Sequence, residues 1–211
     1  MYVCYHQFGL HSLHYYSKYP EGRYRTYKFQ VNIRGVSLVI HSASGVFSAK
    51  KLDKGTEVLI KHMIIEDGWR ILDLGCGYGV VGLVAAKLAP RGRVILTDIN
   101  KRAVALARKN IVLNGVFNAE VRWGDLYEPI RGELFNTIIS NPPQAAGMKI
   151  IKRIIYEAPE HLLHDGLIQL VARHRKGGER IFKLLREVFP ETRIVGGAAG
   201  YRVYVGFKTT D

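Results

Sequence analysis

Arg70-Ile-Leu-Asp-Leu-Gly-Cys-Gly-Tyr-Gly79 decides how this chain is read. Residues 71–74 make a short apolar run carrying one acid, Asp73, and the run breaks into glycines at 75, 77 and 79. An amphipathic stretch, residues 80–88, follows at once. Strand, tight glycine turn and helix in that order predict the opening unit of a doubly wound α/β sheet, whose ligands bind where the strands end. The turn needs glycine because a side chain would block the ligand and resist the unusual backbone angles.

Two cofactors fit that unit. Gly77-x-Gly79-x-x-Gly82 is a literal dinucleotide fingerprint, and Asp98 follows Gly77 near the usual spacing for a ribose-binding acid. Asp73 to Gly79 also reads D-x-G-x-G-x-G, which resembles motif I of the class I S-adenosylmethionine (SAM) methyltransferases. Asp73 tilts the reading toward SAM. A carboxylate at the strand end suits a cationic amino acid moiety and would repel a pyrophosphate.

Outward from the loop, strands and helices alternate. Strands are predicted over 93–97, 119–123, 135–139 and 167–171, with helices over 101–113, 149–163 and 179–188. Residues 193–195 and 202–207 should pair antiparallel across a turn at 196–200. Upstream, residues 29–40 alternate around Gly35 as a β-hairpin, and a polar turn at 44–55 leads into a helix over 56–65. The pattern predicts a Rossmann-like α/β fold with a seven-stranded, mostly parallel sheet, an antiparallel C-terminal strand and an N-terminal hairpin. Residues 1–28 are set apart as an extension and 29–211 as the main domain, its sheet core starting at 70.

With 211 residues the chain can bury a real core. Its outlying property is a formal charge of +13, from 31 basic against 18 acidic residues. That imbalance is too lopsided for ion pairing alone and favours a polyanion, nucleic acid first. Seven of the 12 tyrosines lie in the extension (2, 5, 15, 16, 19, 24, 27) among histidines and basic residues, a composition suited either to stacking on bases or to packing on the main domain. His6, His11 and His14 lack a companion cluster of acids or cysteines, so no metal site is expected. Two cysteines, Cys4 and Cys76, allow no disulfide framework or zinc pattern and fit a reducing cytoplasm. Neither a signal peptide nor a membrane span is expected.

Ser140-Asn-Pro-Pro-Gln144 closes the cofactor question. A residue before proline is held extended, and two prolines fix φ twice while contributing carbonyls without N–H donors. Asn141 and Pro142 then form a stiff ledge of two neutral acceptors, as an exocyclic amine requires. As positive charge develops on the attacking nitrogen, both acceptors stabilise it more strongly.

Asn141-Pro142-Pro143 resembles motif IV of the methyltransferases that modify adenine, guanine or glutamine amines. Together with Gly45-Val-Phe-Ser48, Leu52-Asp53-x-Gly55, Asp73 to Gly79 and Gly200-Tyr-Arg-Val-Tyr204, it resembles the "methyltransferase small" domain family, ribosomal RNA guanine-N2 methyltransferases and their single-domain archaeal relatives above all. The resemblance spans residues 12–208. It implies that Asp73, Gly75 and Gly77 surround the methionine part of SAM, with Cys76 a small filler inside the loop. Asp98 would hold the ribose hydroxyls and Ile99 the adenine. Asp125 would accept from the adenine amine with Trp123 nearby, or serve only as a cap. Phe47 and Ser48 would cover the cofactor. Asn141, Pro142 and Pro143 would present the target amine. Related enzymes often carry an aromatic after the second proline; here it is Gln144, which could read a base edge instead.

The leading expectation is a SAM-dependent RNA methyltransferase acting on guanine N2, in ribosomal RNA. The alternatives are adenine N6 in nucleic acid, a protein glutamine, a non-catalytic SAM- or RNA-binding assembly factor, and an NAD-dependent dehydrogenase. Monomer and homodimer both stay open.

Overall fold

The computed structural model describes residues 25–142 and 147–209. The aromatic and basic residues of the extension up to Tyr24, and Pro143 and Gln144 of the ledge, lie outside the described residues.

The central sheet has seven strands: β3 (Arg70–Leu74), β4 (Arg93–Asp98), β5 (Ala119–Trp123), β6 (Phe135–Ser140), β7 (Leu162–Arg173), β8 (Glu191–Ala198) and β9 (Tyr201–Phe207). Their spatial order is β5-β4-β3-β6-β7-β9-β8. Only β9 opposes the others, pairing antiparallel with both β7 and β8. A parallel strand covered on both faces needs a nearly continuous apolar run. In β3 every residue after Arg70 is buried, Asp73 included.

Helices cover both faces. On one lie α1 (Lys54–His62), α2 (Val80–Leu88) and α3 (Lys101–Leu113), sharing a core with the hairpin strands β1 (Thr26–Ile33) and β2 (Val36–Ala43). On the other, α4 (Met148–Tyr156) and α5 (Gly178–Val188) pack against Ile138, Ile168 and Tyr204. Helix α2 is buried over most of its surface and so apolar nearly all round, whereas α4 and α5 each bury a single stripe.

The hairpin is fastened by two asparagines one helical turn apart, Asn110 on α3 and Asn114 at its C-cap. Asn110 Oδ1 accepts the His41 N–H at 2.8 Å, and its Nδ2 donates to the His41 carbonyl at 2.9 Å. Asn114 repeats the pattern on Val39. The two side-chain amides satisfy backbone groups at the edge of β2 much as a neighbouring strand would.

Several boundaries differ from the sequence expectation. The hairpin strands run Thr26–Ile33 and Val36–Ala43, longer than 29–40 at both ends and reaching into the stretch assigned to the extension. Helix α1 starts at Lys54 because Asp53 caps it, and it stops at His62, after which Gln169 binds the N–H and carbonyl of Ile64. Helix α4 ends at Tyr156, well short of 163, and Pro159 falls in a separate 3-10 turn, Ala158–His161. The C-terminal hairpin turns only at Ala199 and Gly200, both at positive φ. Gly196 and Gly197 belong to β8 instead. A Cβ at Gly196 would lie 2.1 Å from the His62 ring, so that glycine admits a helix and does not make a turn.

Candidate active site

Four neighbouring parallel strands end around one cavity. Its wall comprises Leu74 and Gly75 after β3, Thr97 to Ile99 at β4, Gly124 to Leu126 after β5, and Ser140 to Pro142 at β6. Phe47, from the segment between β2 and α1, and Ile150 and Ile154 of α4 complete it. The cavity sits where the chain order reverses, β4 and β5 lying on one side of β3 and β6 on the other. Ligands bind at such a switch point because the two loops diverge there and leave a crevice.

Backbone bonds set the loops. The N–H groups of Gly75 and Cys76 both donate to the Thr97 carbonyl at 2.9 Å. Asp98 accepts the Gly77 N–H on Oδ2 and the Asn100 N–H on Oδ1, each at 2.8 Å. Its carboxyl is pushed up by burial, partly offset by those N–H donors. The Ile99 N–H is a third backbone donor to this carboxylate, which has about four acceptor sites in all, so Asp98 can still receive a hydroxyl from a ligand. Gly75 has φ 76°, and a Cβ there would meet open space.

Asp73 behaves differently. Its Oδ2 accepts the Gly82 N–H at 2.8 Å, pinning the first turn of α2, and the residue is absent from the cavity wall. Burial raises its carboxyl to about 7, with Asp98 adding to the rise. Cys76 and Gly77 also stand behind the wall. The Cys76 thiol is buried and its pKa pushed well up by desolvation, as an inert filler requires. Ser48 donates from Oγ to the Lys51 carbonyl at 2.7 Å and shapes the turn after Phe47 without lining the cavity. Phe47 is carried into place by Asn100 and Arg102, which donate to the carbonyls of Gly45 and Ser44 at 3.0 and 2.7 Å.

On the far wall, Asp125 Oδ2 accepts from Arg153 Nη1 at 2.7 Å, and Glu157 holds the same guanidinium at Nε. Asp125 is therefore a cavity residue braced from α4. Trp123 donates to the Ile99 carbonyl at 2.8 Å, so its indole supports the β4 loop beside the cavity. Sequence reasoning named no role for Thr97, Leu126, Ser140, Ile150 or Ile154. They are apolar or small residues whose place follows only from the strand ends and the α4 face meeting.

The β6 ledge is the most constrained part. Ser140 Oγ donates to the Leu74 carbonyl at 2.7 Å, tying the ends of β6 and β3. Asn141 Nδ2 donates to Thr56 Oγ1 at 2.9 Å and to Asp53 Oδ2 at 3.2 Å. A carboxylate can only accept, so the NH₂ side of the amide must face Asp53. The amide oxygen Oδ1 is left on the other side, and it accepts no hydrogen bond among the described residues. Asp53 Oδ2 also caps α1 through the Thr56 N–H at 3.0 Å. A Cβ at Gly55 would lie 2.8 Å from the Tyr201 ring, which explains the glycine two residues after Asp53 and ties it to Tyr201 at the start of β9.

Sheet order, the single antiparallel strand and the glycine loop facing an acid on β4 define a class I methyltransferase. The chain belongs to the methyltransferase small domain family, whose family model matches residues 37–205. It is 33% identical to the uncharacterized protein YbxB of Bacillus subtilis over 91% of this chain and 96% of that one. It is 34% identical to ribosomal RNA small subunit methyltransferase C of Aeromonas hydrophila over 84% of this chain and 52% of that protein. The chain thus spans about half the length of that ribosomal RNA methyltransferase. Among solved structures, the T. thermophilus 16S rRNA N2 G1207 methyltransferase (RsmC), in complex with AdoMet and guanosine, superposes with a TM-score of 0.74 at 24% identity, covering 90% of this chain and 52% of that one.

The cofactor of this family is SAM, and the residues present fit it. Asp98 offers an acceptor for vicinal hydroxyls, Ile99 and Leu126 offer an apolar seat for a base, and Gly75 leaves room beside them. The buried Thr97 hydroxyl on the same wall has no hydrogen-bond partner among the described residues, so a polar group is expected there. A pyrophosphate would meet two carboxylates, Asp98 and Asp125, across one small cavity. No helix among the described residues is long and apolar enough to cross a membrane.

Proposed function

We propose that this chain methylates RNA at the exocyclic N2 amine of guanine, with ribosomal RNA as its substrate. The carrying observation is the Asn141 amide, its NH₂ group committed to Asp53 and Thr56 and its oxygen left for a donor. An amine is such a donor. The charge of +13 supports a nucleic acid over a protein glutamine. The ribosomal RNA methyltransferases among its relatives support ribosomal RNA.

When bound, SAM supplies an electrophilic methyl group. Asp98 would hold the ribose, Ile99 and Leu126 would flank the adenine, and Asp125, braced by Arg153, would receive the adenine amine. Asn141 Oδ1 accepts one N–H of the target amine and the Pro142 carbonyl the other, so the nitrogen lone pair is aimed at the cavity. As the nitrogen becomes positive, both bonds strengthen, and no strong base is required. Gln144 stands in the sequence where related enzymes often carry an aromatic, and we assign it to reading the base in place of stacking.

The test is transfer of labelled methyl groups from SAM to ribosomal RNA lacking native modifications, followed by digestion and mass spectrometry of nucleosides. N2-methylguanosine is expected. N6-methyladenosine would keep the amine chemistry and replace the base. Transfer to protein alone, or none at all, would overturn the reading.

A further inference from the structure

A groove opens beside the ledge on the α4–α5 face. Pro142 lines both this groove and the cofactor cavity, so the two join at the point assigned to the target amine. Its floor is apolar, from Met148, Ile151 and Ile181, and its far bank is the turn His174–Lys176 together with Arg180 of α5. With about 530 Å³ it lies within the roughly 300–1,000 Å³ range of sites that seat a small organic group.

The charges on that bank differ from those near β5. Around the β5 side of the sheet, arginines are matched by acids: Arg70 with Glu133, Arg93 with Glu120, Arg153 with Asp125 and Glu157. Arg175, Lys176 and Arg180 are exposed and form no ion pair among the described residues. The one acid lining the groove, Glu179, lies 3.3 Å from His174 Nε2. The turn that follows the end of β7 carries Arg175 and Lys176, and the first turn of α5 carries Arg180 beside them. A cationic bank over an apolar floor is complementary to a nucleotide, with phosphates on the bank and a ring on the floor.

We propose that this groove seats the nucleotide flanking the target base, with Arg175, Lys176 and Arg180 on its phosphates. The inference rests on RNA being the substrate and adds where the strand runs. It places an RNA-docking surface within the catalytic domain itself. The flanking nucleotide anchors the strand while the target base turns toward Asn141.

The experiment compares the full-length wild type, a groove variant (Arg175→Glu, Lys176→Glu, Arg180→Glu) and a control (Lys87→Glu, Lys109→Glu) on the opposite face of the sheet. The readouts are KM for ribosomal RNA over a salt series, SAM affinity, and the melting transition. The groove variant should raise KM for RNA tenfold or more and flatten its salt dependence by about two logarithmic units per decade of salt, since each lost phosphate contact removes roughly 0.7 on a single strand. SAM affinity and melting should match the wild type, and the control should change KM far less. Equal loss in both variants, or no loss in the groove variant, would overturn the groove while leaving RNA methylation standing. Failure of the wild type on every RNA would overturn the functional reading and the groove with it.

Discussion

Asn141 and Asp53 are 88 residues apart in sequence, yet Asn141 Nδ2 lies 3.2 Å from Asp53 Oδ2. One carboxylate thus caps α1 and orients the amide assigned to the target amine. The two roles separate by substitution. Asp53→Ser keeps a good helix cap but is too short to reach Asn141. It should melt close to the wild type and lose transfer rate by roughly tenfold to a hundredfold, as expected for a misaligned catalytic group. Asp53→Asn retains an acceptor oxygen and should keep more activity than the serine variant. Equal rates for wild type and Asp53→Ser would leave Asp53 as a cap alone.

Asp98 is the cavity residue best placed to choose the cofactor, as its carboxylate ends β4 while keeping lone pairs open. Calorimetry should show SAM binding that weakens by tenfold or more in Asp98→Ala, the loss of hydrogen bonds to a charged acceptor costing about 1.5–3 kcal/mol. NADH should not bind. Tight NADH binding without SAM binding would reverse the assignment.

Asp73 predicts a pH signature. In the folded chain its carboxyl stays protonated up to about 7, against an ordinary 3.8 when unfolded. Between those values the unfolded chain holds fewer protons, so this group's contribution to stability falls as pH rises across the window and levels off above it. Asp73→Asn keeps an acceptor for the Gly82 N–H and has nothing to ionise. Its melting temperature should rise relative to wild type from about pH 4 to pH 7 and hold that gap beyond. Parallel profiles for the two proteins would refute the shift.

Asn110 fastens three elements at once, binding both backbone groups of His41 and donating to the Tyr78 carbonyl of the glycine loop at 2.9 Å. Asn110→Ala should destabilise by about 3 kcal/mol, near 1 kcal/mol for each lost bond. In a domain of this size that corresponds to a fall in melting temperature of roughly 6–12 °C. A change within error would mean that water replaces the amide without cost.

Much of this was legible in the chain because it rests on local pattern. The glycine loop, the alternation of strands and helices and the Asn-Pro-Pro ledge each declare themselves within ten residues, and strand ends then bring Asp98, Ile99, Asp125 and Asn141 to one cavity. What stayed hidden depends on side chains meeting across the fold. Nothing near Asp73 shows that its carboxylate turns to Gly82 and away from the cavity. Nothing near Asp125 announces Arg153. Gly196 and Gly197 read as turn residues because glycine marks turns and close approaches alike, and only the groups opposite them, the His62 ring at Gly196 and the Tyr201 carbonyl at Gly197, distinguish the two.

The most direct test of the account pairs two measurements on Asn141→Ala: SAM affinity at equilibrium, and the single-turnover rate of methyl transfer to RNA. Asn141 belongs to the amine ledge, so SAM affinity should stay within about twofold while transfer falls a hundredfold or more, the cost of one oriented acceptor at a developing charge being roughly 3 kcal/mol. Asn141→Asp, which still accepts an N–H bond, should recover part of the rate. Transfer at the wild-type rate by the alanine variant would contradict the account and reduce Asn141-Pro142 to a turn.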